Sequence, residues 1–107
     1  MGVTKTEAYT ERQLRRASIC RALGHPARIA ILEHLLAADC CICQDLTDVI
    51  SLSQPTLSRH LAVLREAGLI AGKSVGNKME YSIDPVRWRE VRTTLDALFE
   101  SFRGDCC

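Results

Sequence analysis

With 107 residues, the chain has room for one domain and one modest hydrophobic core. Its 47% hydrophobic and 25% charged content is ordinary for a globular protein, and no run approaches the roughly 18 apolar residues of a membrane span. Residues 1–10 are polar and lack a signal-peptide pattern, and a net charge of +1 leaves no bulk field to attract a polyanion. The expectation is a cytoplasmic protein, with no membrane partner, that binds through local patches.

Residues 1–10 read as a flexible arm. Leu14, Ala17, Ile19, Cys20 and Leu23 place a first helix over about Glu11–Ala22, closed by Gly24, with Cys20 as a small core hydrophobe. His25-Pro26 restarts a helix: Pro26 suits its first turn, and His25 a capping or packing position. Ile29, Leu32 and Leu36 form its stripe, widened by Ile31 and Leu35, with His34 in solvent. Residues 37–43 lead into a short third helix near Gln44–Ile50, whose Leu46, Val49 and Ile50 should face inward.

After the turn at Ser51-Leu52 comes the stretch that organises the rest. Ser53 is a natural N-cap, its hydroxyl able to accept from a free backbone N–H, and Pro55 sits in the first turn. Leu57, Leu61 and Leu64 recur as one apolar stripe, and Gly68 supplies a left-handed stop. Ser53 at the start, with Gln54, Thr56, Ser58, Arg59 and His60 on the other face, offers short hydrogen-bonding groups for base edges and cations for phosphates. An ordinary solvated helix face would look similar. A short helix, a tight turn and a longer helix make a helix-turn-helix.

Leu69-Ile70 begin a strand, Gly76-Asn77 suits a hairpin tip, and Met79-Glu80-Tyr81-Ser82-Ile83 alternates as a half-buried strand. Lys73 and Lys78 flank the tip, so the ribbon reads as a wing that reaches the adjacent DNA backbone or minor groove, with a plain stabilising hairpin as the alternative. Asp84-Pro85 opens a last helix to about Phe102. Trp88, Val91, Leu95, Leu98 and Phe102 on it form a 3-4-3-4 seam. The seam suits a helix from a second copy, in a symmetric dimer through the first and last helices; packing on the chain's own first helix is the alternative. The fold class expected is mostly α with a two-stranded β-wing, a dimeric winged helix-turn-helix over residues 11–102, followed by a cysteine-containing tail, 103–107.

The blocks Ala22-Leu23-Gly24-His25-Pro26-Ala27-Arg28-Ile29, Cys41-Ile42-Cys43-Gln44-Asp45-Leu46 and Ser53-Gln54-Pro55 through Leu69 resemble the ArsR/SmtB family of metal-responsive repressors over about residues 11–102. The chain is most similar to the arsenic-responsive branch, whose members carry Cys-Val-Cys-Asp-Leu where this chain has one residue more before the aspartate. The resemblance implies a homodimer that sits on operator double-stranded DNA and leaves it on binding a thiophilic ion. The family's zinc site on the closing helix is not expected, because no His follows His60 and Asp84, Asp96 and Glu100 lack partners.

Six cysteines in such a setting favour metal or thiol chemistry over structural disulfides. Cys40, Cys41 and Cys43 lie close in sequence, and thiolates select soft ions. Trivalent arsenic takes a pyramid of sulfurs. Residues i and i+2 of a helix diverge by roughly 200°, so Cys41 and Cys43 share an ion only if the segment is not helical or if binding unwinds it. The third sulfur is open: the arsenic branch often has it where this chain has Thr47, leaving Cys40, or Cys106 and Cys107 in the tail. As(III) or Sb(III) is the inducer expected, with no organic cofactor; copper(I), cadmium and zinc also suit thiols. His60 reads as a DNA contact before a metal ligand. No nucleophile–base arrangement can be assembled, so the chain is not expected to be an enzyme. A persulfide- or redox-sensing repressor, or a thiol-rich metal buffer that binds no DNA, are the alternatives.

Overall fold

The computed structural model describes residues 6–38 and 41–104. A single 3-10 turn at Thr6–Ala8 lies within the expected arm, and Thr10 caps α1 (Glu11–Leu23). The cap is reciprocal: the Gln13 N–H donates to Thr10 Oγ1 at 3.1 Å, and the Thr10 N–H to Gln13 Oε1 at 3.0 Å. Gly24 ends α1, and His25 caps α2 (Pro26–Ala37), its Nδ1 accepting from the Ala27 N–H at 3.0 Å. Then come β1 (Cys41–Ile42), α3 (Cys43–Ile50), α4 (Gln54–Glu66), β2 (Ile70–Val75), β3 (Lys78–Ile83) and α5 (Pro85–Glu100).

Leu57, Leu61 and Leu64 of α4 are buried against Ile31, Leu32 and Leu35 of α2, Ile19 of α1 and Leu46 of α3. Several expected inward residues lie outside this core. Ile29 and Leu36 are 38% and 55% exposed, because the inner face of α2 runs through Ile31 and Leu35 instead. Val49 is 52% exposed, leaving Leu46 and the half-buried Ile50 as the inner face of α3. Cys20 is exposed, since Ile19 and Ala22 already fill the inward side of α1.

The sheet has three strands, all antiparallel in the order β1-β3-β2, where the sequence led us to expect two. β1 pairs Cys41 with Tyr81 and Ile42 with Glu80, which joins the start of α3 to the central strand of the wing. A pairing two residues long carries no alternation that sequence reading could detect. At the hairpin tip Val75 lies opposite Lys78, and Gly76 adopts φ +64° in the two-residue loop, the position of a type II′ turn that glycine favours.

Asp84 caps α5 by accepting from the Arg87 N–H at 3.2 Å. The seam divides. Val91 is buried and Trp88 and Leu95 pack on the chain's own core, whereas Leu98 and Phe102 are 44% and 71% exposed. Arg16 Nε donates to the Thr94 carbonyl at 3.2 Å and ties α1 to α5. No helix among the described residues is long and apolar enough to cross a membrane.

Candidate nucleic-acid interface and thiol segment

The turn between α3 and α4 contains Ser51 at φ 63°, a left-handed position that costs a non-glycine residue energy and reverses the chain sharply. α4 then leaves the core with Ser53 at its N-cap position, but the expected capping bond is absent. The Ser53 hydroxyl donates to Thr56 Oγ1 at 3.0 Å instead, a rotamer that turns its oxygen away from the backbone N–H groups of the first turn. At the far end Gly68 adopts φ +86°, its N–H donating to the Arg65 carbonyl at 3.0 Å while the Leu69 N–H donates to the Leu64 carbonyl at 3.1 Å. Two carbonyls at the end of the helix are thereby satisfied and β2 starts in a fixed direction.

Ser53, Gln54, Ser58 and Arg59 are exposed, while Thr56 and His60 are half-buried on the flank of α4. Lys73 and Lys78 are exposed on the wing, Lys73 directly across from Glu80 and Lys78 across from Val75. Arg65 lies with its guanidinium against Gly72 at the base of the wing: a Cβ there would come within 3.2 Å of it.

His60 is turned towards α2. Arg28 Nη1 lies 3.0 Å from His60 Nδ1, and the His25 and His60 ring centroids are 4.5 Å apart. The same guanidinium donates from Nε to the Ala22 carbonyl at 2.8 Å and from Nη2 to the Arg21 carbonyl at 3.0 Å. Burial, then the His25 ring, then the Arg28 charge hold the His60 pKa below its ordinary 6.5. Sequence reading missed Arg28. The available signal was its position: a cation in the first turn of a helix opposes the dipole and must find carbonyl partners elsewhere, here the C-terminal end of α1.

Of the thiols, Cys41 stands in β1 and Cys43 is the first residue of α3. Cys40, Cys106 and Cys107 lie outside the described residues. On and around α5, Asp84 is engaged as the cap and Asp96 pairs with Arg92 at 3.4 Å.

A helix-turn-helix domain family matches residues 23–72, from the end of α1 into β2. The chain is 43% identical over 68 residues to the transcriptional regulator Rv0081 of Mycobacterium tuberculosis, covering 64% of this chain and 60% of that protein's length. It is 32% identical over 91 residues to the arsenical resistance operon repressor of Staphylococcus xylosus, covering 85% of this chain and 86% of the repressor. The chain belongs to the ArsR/SmtB family. The fold agrees. The crystal structure of an ArsR family regulator, RHA00566, superposes with a TM-score of 0.75 at 19% identity, covering 92% of this chain and all of the other. That of Rv0081 superposes with a TM-score of 0.67 at 32% identity, covering 87% and 94%. The chain thus has the winged helix-turn-helix fold of a family of transcriptional regulators, and it spans 60% of the length of the first of the relatives named.

Proposed function

We propose that this ArsR/SmtB regulator is a repressor that holds operator DNA when free of metalloid and releases it when Cys41 and Cys43 capture trivalent arsenic or antimony. The observation that carries the reading is the backbone position of the two cysteines. Cys41 stands in the strand paired with the centre of the wing, and Cys43 opens the first helix of the helix-turn-helix. The divergence that keeps i and i+2 apart on a helix does not apply across a strand-to-helix junction. An ion bound by both therefore pulls on the point where wing and α3 join. Cys40, or Cys106 and Cys107, would complete the sulfur set.

α3 packs on α4, so a shift at Cys43 reaches the helix that enters the groove. Coupling of about 3 kcal/mol would change DNA affinity about 150-fold, and DNA would weaken ion binding by the same factor. Gln54, Ser58 and Arg59 are the groove contacts on this reading, with Ser53 and Thr56 at the helix start, His60 on its flank, and Lys73 and Lys78 on the adjacent phosphates. The dimer forms through α1 and α5. The relationship to the S. xylosus arsenical repressor supports the ion class.

The test is release of a labelled duplex, selected by the reduced protein from a random pool, on adding arsenite. Wild type should dissociate, while Cys41→Ser and Cys43→Ser should stay bound. Unchanged release in both variants would remove these thiols from the mechanism. Release by polysulfide without metalloid, with mass gains in units of sulfur, would favour persulfide sensing, and failure to bind any duplex would favour a metal buffer.

A further inference from the structure

Arg28 is part-buried where three helices meet, and all three of its reachable nitrogens are engaged: two with carbonyls at the end of α1, one with the ring of His60 on α4. A guanidinium can only donate. His60 Nδ1 must therefore be the acceptor, which makes His60 the neutral tautomer with its proton on Nε2. His25 uses its ring the same way, its Nδ1 accepting from the Ala27 N–H to cap α2. Two histidines in ring contact thus both depend on an unprotonated Nδ1, beside a permanent cation.

We propose that Arg28 is a positioning residue for DNA recognition: by fixing the tautomer of His60 it latches α4 to the α1–α2 corner, and the latch opens in mild acid. A proton on His60 Nδ1 removes the acceptor and sets a cation 3.0 Å from the guanidinium. The groups acting on His60 are His25 and Arg28 of α2. The other charged groups of the elements packed on α4, namely Glu11, Arg12, Arg15, Arg16 and Arg21 of α1, Glu33 of α2, Asp45 and Asp48 of α3 and Lys73 of β2, are not among them. Among the described residues, no carboxylate acts on His60 to offset the added charge.

The folded chain holds His60 below 6.5, so the unfolded chain binds its proton first as pH falls. Stability is complete above 6.5 and declines as pH drops below it. The inference rests on the DNA-binding reading for its consequence, but not on metalloid release, and two of its three tests use no DNA.

The first test is ring 15N and 13C NMR of the full reduced chain, where His60 should show the Nε2–H tautomer and titrate below 6.5. In Arg28→Met the tautomers should mix and the titration move upward. The second is urea unfolding of wild type and His60→Asn at pH 7.5 and 5.5. Asn keeps an acceptor for Arg28 but does not titrate, so it should lose less stability between the two pH values. The third is binding of the selected duplex, without metalloid, at the same two pH values. Wild type should weaken by about tenfold more than His60→Asn, the scale of one charge-assisted hydrogen bond, whatever the variant's affinity at pH 7.5. An Nδ1–H tautomer, or equal pH dependence in the two proteins, would overturn the proposal. So would DNA binding that tightens in wild type as pH falls, the mark of a cation gained at the phosphates. Failure of DNA binding alone, with the NMR and unfolding results as expected, would count against the regulator reading and leave the latch.

Discussion

At the scale of single residues, two helix starts that look alike in sequence are built differently. Ser53 and Asp84 both stand at the N-cap of a helix whose first turn contains a proline. The Asp84 carboxylate accepts from the Arg87 N–H at 3.2 Å, whereas the Ser53 hydroxyl is turned to Thr56 Oγ1. Asp84→Ala should therefore cost about 1 kcal/mol, and Ser53→Ala only a few tenths, because an exposed hydroxyl pair is readily replaced by water. Urea unfolding of the two variants side by side measures the difference; equal losses would mean that Ser53 caps α4 after all. The position of Ser53 was legible in the sequence, but the turn of its hydroxyl to Thr56 depends on rotamers that no spacing encodes. Arg28 was the reverse case: its awkward place in the first turn of α2 was visible, and only its carbonyl partners on α1 needed the fold.

At the scale of elements, the helices were legible because each carries several turns of apolar period, and the wing because Gly76-Asn77 punctuates two short strands. β1 was not, since two residues have no period, and Ile29, Leu36 and Val49 were assigned inward because pattern alone cannot say how much of a helix its neighbours cover. The thiol segment was readable as chemistry but not as geometry; its strand-to-helix junction is a product of the pairing with β3. The wing offers a test of its own. Lys78 stands across from Val75, an apolar cross-strand neighbour, while Lys73 stands across from Glu80, a neighbour of opposite sign. Lys78→Ala should lower the slope of log affinity against log salt by about 1, and Lys73→Ala by less. A salt titration of the selected duplex reads both, and no change with Lys78→Ala would make the hairpin structural only.

At the scale of the whole molecule, α5 closes the core with its first half and leaves apolar surface on its second. Leu98, Phe99 and Phe102 are 44%, 70% and 71% exposed, and an open cavity of about 230 Å³ along the first half of the helix is lined by Leu23, Leu69, Trp88, Val91 and Leu95 with Arg92. Rings of this size bury on the order of 150 Å² each, so the two phenylalanines of two copies would supply roughly a third of a standard interface of about 1,600 Å². They are exposed in the single chain, so replacing them should leave its fold intact and act on association alone. Phe99→Ser with Phe102→Ser should weaken self-association at least about a hundredfold, as expected for paired aromatic anchors. Sedimentation equilibrium at micromolar protein reads this directly. A dimeric wild type and a monomeric, normally folded variant would assign the interface to the end of α5. A variant that stays dimeric would move the contact elsewhere. Because two half-sites share one binding event, the monomeric variant should also lose about half of the salt dependence of DNA binding, since each recognition helix and wing brings its own phosphate contacts.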